Sequence, residues 1–154
     1  VKHRTNRSRT IKSRLPIAEV TTEINGAATA FVDANTPFPS AMLEPKLWND
    51  YQRVTLVSTT SAERVTIDLD VEFGWEERYS AFPHLAIIEV KQASLSQPSE
   101  FKAQMRRLGL RAGSFSKYCA GVYTLYHPPK SNNFKSYFRQ LSKVIGADSH
   151  VAIY

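Results

Sequence analysis

Two stretches near the middle of the chain alternate between apolar and polar side chains, and this pattern most restricts how the chain can fold. In residues 64–73, Val, Ile, Leu, Val and Phe occupy every second position, with Arg, Thr and acidic residues between them. Residues 85–91 alternate similarly and place Glu89 and Lys91 on one side. A period of two predicts β-strands with one apolar and one polar face. We expect the polar faces to form a site, because Glu89 can hold a divalent metal ion while Lys91 meets an anionic oxygen.

Further strands and a few helices are expected around these two strands. Residues 50–58 alternate and are joined to residues 64–73 by a short polar turn, which predicts an antiparallel hairpin. Residues 1–6 and 9–15 predict a second hairpin, and residues 119–126 a further strand. The expected helices lie at residues 27–31, at 43–50, from the capping residue Ser99 to Gly109, and at 132–145. The predicted fold is therefore α+β.

Length and composition indicate one domain of 154 residues that can bury a sizeable core. The sequence has no apolar run of membrane-spanning length and no signal-peptide pattern. The single cysteine, Cys119, cannot form an internal disulfide, which favours a reducing, cytoplasmic location. The chain begins at Val1 in what resembles a strand already under way, so we expect an N-terminal part to be missing.

Positive charge is concentrated at the start of the chain. The net charge is +6, from 20 basic and 14 acidic residues. The first 14 residues carry no acid, and the remainder is neutral. Such local basicity indicates a basic disordered arm or an anionic partner such as phosphate, polyphosphate or nucleic acid. The basic residues of this segment are Lys2, Arg4, Arg7, Arg9, Lys12 and Arg14.

Five basic residues form a group on predicted strands, where rigid backbone can hold guanidinium groups against phosphate oxygens. The alternative is structural pairing of Arg64 with Asp68 and of Lys91 with Glu89. Residues 114–118 add small hydroxyls and a lysine, which suit phosphate contacts. The basic residues on predicted strands are Lys12, Arg14, Arg53, Arg64 and Lys91.

Taken together, these segments resemble the VTC domain, the polyphosphate polymerase domain of the triphosphate tunnel metalloenzyme (CYTH-like) superfamily. The matching stretches are residues 1–2, 9–14, 51–53, 64–68, 88–91 and 116–118. The resemblance implies one VTC-like domain over residues 1–154, an antiparallel β tunnel or barrel with a few flanking helices. It implies polyphosphate, ATP or another triphosphate as ligand, Mn²⁺ or Mg²⁺ as cofactor, and transfer of the terminal phosphate of ATP to polyphosphate. Action beside a membrane protein partner is also expected.

The resemblance assigns roles to individual residues. Glu89 would hold the metal, and Arg53, Arg64 and Lys91 would serve both binding and catalysis. The family's early strands, with their Arg-x-Arg pair, have no counterpart here, and Ser114 stands where some members have a lysine. The residues expected to bind phosphate are Lys2, Lys12, Arg14, Arg53, Arg64, Lys91, Ser116 and Lys117.

Two other functions fit parts of the sequence. Asp68 or Asp70 followed by Glu89-x-Lys91 matches the acid, then Glu-x-Lys, pattern of restriction-endonuclease-like, metal-dependent nucleases. A non-catalytic polyphosphate-binding module is the other alternative. Nucleic acid is the less favoured ligand, because residues 1–14 contain no aromatic residue for base stacking.

Overall fold

A computed structural model describes residues 1–4, 10–94, 98–129 and 150–153, which belong to two compact units, residues 1–46 and 47–154. In the first unit, β1 (Lys2–Arg4) and β2 (Thr10–Lys12) pair as an antiparallel hairpin, as predicted. Helix α1 (Ala27–Asn35) and a short 3-10 helix (Ser40–Met42) follow. In the described part of the chain, no helix is long and apolar enough to span a membrane.

The second unit is built on a five-stranded sheet. Strand order is β3-β4-β6-β7, and β5 pairs with the other half of β4. All these pairings are antiparallel except the parallel pair β6–β7. The strands are β3 (Trp48–Val57), β4 (Glu63–Trp75), β5 (Arg78–Phe82), β6 (Leu85–Gln92) and β7 (His150–Ile153). The helices are α2 (Glu100–Arg107) and α3 (Lys117–Tyr126).

This architecture agrees with the predicted mixture of antiparallel strands and a few helices. The predicted hairpin of residues 50–58 and 64–73 is present as β3–β4. Ser99 caps α2, its hydroxyl accepting a hydrogen bond from the Lys102 N–H at 3.0 Å. Gly109 ends that helix with a positive φ of 76°. Among the described strands the sheet does not close on itself, so the predicted barrel is not seen in this part of the chain.

The strand register gives the sheet two chemically different faces. Because directly paired residues project to the same side, one face carries three cross-strand rows. We call this the polar face; its rows are Arg53–Asp68–Ile87, Thr55–Thr66–Glu89 and Val57–Arg64–Lys91. The opposite face buries Val65 and Ile88 against Phe101 and Met105 of α2. Helix α3 packs on the other main cluster, which contains Val71, Phe73 and Ile87.

A β-bulge at Asp70 changes which face the end of β4 presents. Asp70 and Val71 together oppose Tyr51 alone, since the register runs from Gln52↔Leu69 to Asp50↔Glu72. Asp70 has a φ of +50°, in the left-handed region that Asp tolerates better than most residues. The prediction that Val71 and Phe73 share a face with Val65 was therefore wrong, because the extra residue reverses the alternation. Both lie instead on the side of Asp68, buried in the cluster beneath α3.

Two predicted elements were also wrong. Residues 119–126 lie in helix α3 rather than in a strand. The helix expected at 43–50 is replaced by residues 43–47, which form no regular element, and by the start of β3 at Trp48. The Tyr, Val and Thr content of 119–126 favours a strand locally. Packing overrides it, because a helix brings Ala120, Gly121 and Leu125 onto the core. The helix expected at 132–145 lies outside the described residues.

Candidate functional site

The register of the central sheet brings four predicted site residues onto the polar face. Arg53 comes from β3, Arg64 from β4, and Glu89 and Lys91 from β6. Successive rows are two residues apart, or about 6.8 Å along a strand. Successive side chains of a strand project to opposite faces, so Glu89 and Lys91, which are two residues apart, both project to the polar face. The face thus offers a series of cationic groups along about 13 Å of sheet.

The best-defined part of this site is a buried carboxylate shared by two cations. Asp68 is 2% exposed and accepts two parallel hydrogen bonds from Arg53. These join Nε to Oδ1 at 2.6 Å and Nη2 to Oδ2 at 2.7 Å. The ammonium of Lys117, on the first turn of α3, also binds Oδ2. Asp68 therefore fixes an arginine from the sheet and a lysine from the helix in one cluster.

An aromatic ring lies against the same two cations. Arg53 Cζ is 5.0 Å and Lys117 Nζ is 4.4 Å from the centroid of the Tyr51 ring. Tyr51 is itself packed on the core cluster beneath α3. The ring restricts where both side chains can move and adds cation–π attraction. The Arg53 and Lys117 head groups are consequently held between the Asp68 carboxylate and the Tyr51 ring.

The protonation states of this cluster follow from its geometry. Burial raises the pKa of the Asp68 carboxyl, but hydrogen bonds from Arg53 and Lys117 outweigh it and hold that pKa below its ordinary value of 3.8. The hydrogen bond to Asp68 raises the pKa of the Arg53 guanidinium above its ordinary value, against a smaller effect of burial. Asp68 is ionised near neutral pH, and it is a counter-ion rather than a proton carrier.

The remaining polar-face residues are more open to solvent. Lys91 Nζ lies 3.1 Å from Glu89 Oε2, and both side chains are nearly half exposed. Such an exposed pair contributes little stability and can separate when a ligand arrives. Arg64 is exposed and has no ion-pair partner among the described residues. The alternative pairing of Arg64 with Asp68 is therefore wrong, because Arg53 and Lys117 occupy that carboxylate.

Ser116 and Lys117 begin α3. Ser116 is its N-cap, and its hydroxyl accepts a hydrogen bond from the Cys119 N–H at 3.3 Å. The cap fixes the start of the helix and so the position from which Lys117 reaches Asp68. Lys117 lies in the Arg53 cluster, which it reaches from a helix rather than from the loop that the sequence predicted.

Three predicted phosphate-binding residues lie in the first unit. Lys2 and Lys12 are directly paired across the β1–β2 hairpin, and both are exposed. Arg14 is exposed and helps to line a pocket of 380 Å³ beside α1. The hairpin thus places two positive charges opposite each other, and a bound anion would reduce the repulsion between them.

Taken over the part of the chain that is described, the side chains would supply only part of the coordination shell of a metal ion. In the described ranges, no group of three or more His, Cys, Asp or Glu side chains could enclose a metal ion. Glu89 is a single carboxylate, which suits Mg²⁺ or Mn²⁺ held mainly by phosphate oxygens and water. Its row neighbour Thr66 is 5% exposed, and within the described part its hydroxyl has no hydrogen-bond partner. A metal ion at Glu89 would have this hydroxyl as a neighbouring oxygen and would take its remaining ligands from phosphate and water.

Sequence reasoning left the role of Asp68 open and assigned none to Tyr51. Its alternatives for Asp68 were a metal ligand or an orienting group for arginine, and the structure shows the second. Tyr51 stands two residues before Arg53, which places both on one side of a strand. The two-residue spacing was the feature of the sequence from which the contact between the Tyr51 ring and the Arg53 guanidinium could have been predicted.

The fold and the site define an α+β domain whose sheet presents cationic side chains, anchored by one buried carboxylate, on one face. A comparison with protein families finds the VTC domain over residues 2–126. The match covers most of the chain, and the chain belongs to the VTC domain family. No curated protein and no solved structure matches the chain.

Proposed function

We propose that the polar face binds the phosphate chain of polyphosphate or of a nucleoside triphosphate. The observation that carries the proposal is the convergence of Arg53, Arg64 and Lys91 on one sheet face, with Lys117 joining them from α3. Membership of the VTC family supports a polyphosphate-related function. Guanidinium and ammonium groups held by rigid elements match the repeated negative charges of such a ligand.

We further propose metal-dependent transfer of the terminal phosphate of ATP to polyphosphate. Phosphoryl transfer requires mainly the positioning of phosphates and the stabilisation of charge, and needs no side-chain nucleophile. Arg53 and Lys117 act as fixed donors at one end of the face, while Arg64 and Lys91 contact phosphate at the other. Glu89 would hold Mn²⁺ or Mg²⁺, which when bound neutralises phosphate charge.

The proposal includes a tunnel in which the polar face forms one side. Strand β3 pairs with β4 along one edge, and among the described residues no strand pairs with its other edge. Val54 and Leu56 of β3 are 46% and 48% exposed, which is unusual for such residues in a strand of a finished sheet. Both project to the face opposite the cationic groups. Further strands beside β3 would continue the sheet past this edge, so that the polar face forms one side of a tunnel.

The ion pairs of Asp68 argue against a nuclease. That mechanism needs an aspartate free to bind metal with Glu89, whereas Asp68 is saturated by Arg53 and Lys117. Asp70, the other candidate, lies at the bulge, where it is outside the cross-strand rows that contain Glu89. A non-catalytic polyphosphate-binding module would use the same polar face and differs only in lacking turnover.

Calorimetric titration with tripolyphosphate, with and without Mn²⁺, tests the proposal. We expect binding that Mn²⁺ strengthens in the wild-type protein, and a much smaller effect of Mn²⁺ in Glu89→Gln. The control variant Glu77→Gln makes the same change at an exposed residue of the β4–β5 turn and should behave like wild type. Tighter binding of duplex DNA than of tripolyphosphate would contradict the proposal.

A further inference from the structure

Helix α2 covers only part of the sheet face that lies opposite the polar face. It packs over Val65 of β4 and Ile88 of β6, near the start of β4. Near the other end of β4, Trp48 of β3 and Tyr79 of β5 are 46% and 60% exposed. Single exposed apolar residues are ordinary, whereas adjacent large rings on an uncovered face are typical of an interaction surface.

The strand register brings these two rings together. Gly74 of β4 pairs with Trp48 on one side and with Tyr79 on the other, so the three form one cross-strand row. This row alternates with Val71 and Phe73, which are buried beneath α3, and therefore lies on the other face. The Trp48 ring occupies the space above Gly74, where an added Cβ would clash with it. The ring centroids of Trp48 and Tyr79 are 6.3 Å apart, with planes inclined by 46°.

The next row on this face carries two carboxylates. Asp50 of β3 pairs directly with Glu72 of β4, and Ala81 of β5 completes the row. Like charges that are directly opposite each other destabilise a sheet. Among the residues that the structure describes, neither carboxylate forms an ion pair. The Tyr79 hydroxyl shares a hydrogen bond with Glu72, which raises the pKa of Tyr79 and holds the carboxylate beside the ring.

The chemistry of the two rows favours a flat cation as ligand. The rows contain no basic residue, although the chain as a whole carries a net charge of +6. A guanidinium group can stack on an aromatic ring, and its N–H donors match the geometry of a carboxylate. A phosphate group would be repelled by Asp50 and Glu72. A neutral sugar could stack on the rings but would leave the two carboxylates repelling each other.

We propose that this surface binds an arginine-bearing segment of a partner protein. The arginine stacks on the exposed rings and donates hydrogen bonds to the carboxylate pair, which relieves the repulsion within the pair. Because this surface and the polar face are on opposite sides of the sheet, a partner and a phosphate chain can bind at the same time. The proposal does not depend on the proposed function. The residues of the surface are Trp48, Asp50, Glu72 and Tyr79.

Calorimetric titration with a capped Gly-Arg-Gly-Arg-Gly peptide tests the proposal. Asp50→Asn removes one charge and should weaken binding about two- to fivefold. Tyr79→Leu removes one ring and should weaken binding by a similar factor, about two- to fivefold. Both positions are exposed, so neither change disturbs the core. Glu77→Gln removes the same charge from the β4–β5 turn, outside the two rows, and should change the affinity less than about twofold.

A peptide with citrulline in place of arginine keeps the shape and loses the charge, and it should bind much more weakly. Equal affinity for the two peptides, no binding of the arginine peptide, or unchanged affinity in both Asp50→Asn and Tyr79→Leu would overturn the proposal. Binding of maltotriose but not of the arginine peptide would assign the surface to a sugar instead.

Tripolyphosphate binding by Tyr79→Leu is the independent measurement of the polar face. It should equal that of the wild-type protein, because the altered ring lies on the opposite side of the sheet. A parallel loss of tripolyphosphate binding would contradict the separation of the two surfaces.

Discussion

Asp68 is the residue on which the geometry of the cationic face depends. Its carboxylate is the common partner of Arg53 and Lys117, which come from different elements and lie 64 positions apart in the chain. Two cations this close would repel each other without it. The ionised Asp68 lowers that repulsion and fixes the positions of both groups. It is a positioning residue rather than a ligand-binding one.

Replacing Asp68 should therefore reduce stability in a pH-dependent way. We expect Asp68→Asn to lower the free energy of unfolding by about 1–3 kcal/mol at neutral pH, measured by urea denaturation. Because the folded-state pKa of Asp68 lies below its unfolded value, its contribution is present above pH of about 4. It is lost as the pH falls toward the folded-state pKa, so the two proteins should converge in acid.

Asp70→Asn is the matched control, two residues along the same strand. Asp70 is exposed, and asparagine tolerates its positive φ equally well. This variant should have the same free energy of unfolding as the wild-type protein at neutral pH and in acid. A difference between Asp68→Asn and wild type that persists unchanged at pH of about 2 would contradict a role for the ionised carboxylate.

At the scale of elements, helix α3 positions Lys117 and covers the end of the polar face. It approaches the sheet closely at Gly121, where an added Cβ would lie 2.7 Å from Phe73 Cδ1 and 2.9 Å from Leu47 Cδ2. Both neighbours are part of or packed against the core cluster. The glycine is therefore required for close packing, even though glycine is a poor helix former.

Gly121→Ala should consequently destabilise the protein. The better helix propensity of alanine favours the helix by about 1 kcal/mol, whereas overpacking a tight core costs about 1–3 kcal/mol. We expect a net loss in the free energy of unfolding and, because α3 shifts, weaker tripolyphosphate binding through Lys117. Thermal denaturation measures the first effect, and an unchanged or raised Tm would show that the contact with Phe73 is not tight.

At the scale of the whole molecule, the two faces of the sheet differ in their chemistry. The polar face is cationic, while the opposite face is covered by α2 through Phe101 and Met105. Helix α2 also carries exposed positive charge, at Arg106 and Arg107 near its end. Net charge alone would attract an anion to either side, but of the two faces in the described part of the sheet, the polar face is the one that holds its cations in rows.

A pair of double variants separates these possibilities. Arg64→Gln with Lys91→Gln should weaken tripolyphosphate binding at least tenfold, since two direct charge-assisted contacts are lost. Arg106→Gln with Arg107→Gln removes the same charge from α2 and should reduce affinity less than about threefold, as screening limits long-range attraction. Equal losses in the two proteins, measured by calorimetry at one salt concentration, would assign binding to net charge rather than to the polar face.

The sequence by itself determined several local features: the strands that carry Arg53, Arg64 and Glu89, the shared side of Glu89 and Lys91, and the Ser99 cap. Each depends on periodicity or capping within a few residues, so each is visible in a single segment. The tertiary structure decided the rest. The bulge at Asp70, the helical state of α3 and the choice of Arg53 and Lys117 as partners of Asp68 depend on register and packing between distant segments, which local patterns do not encode.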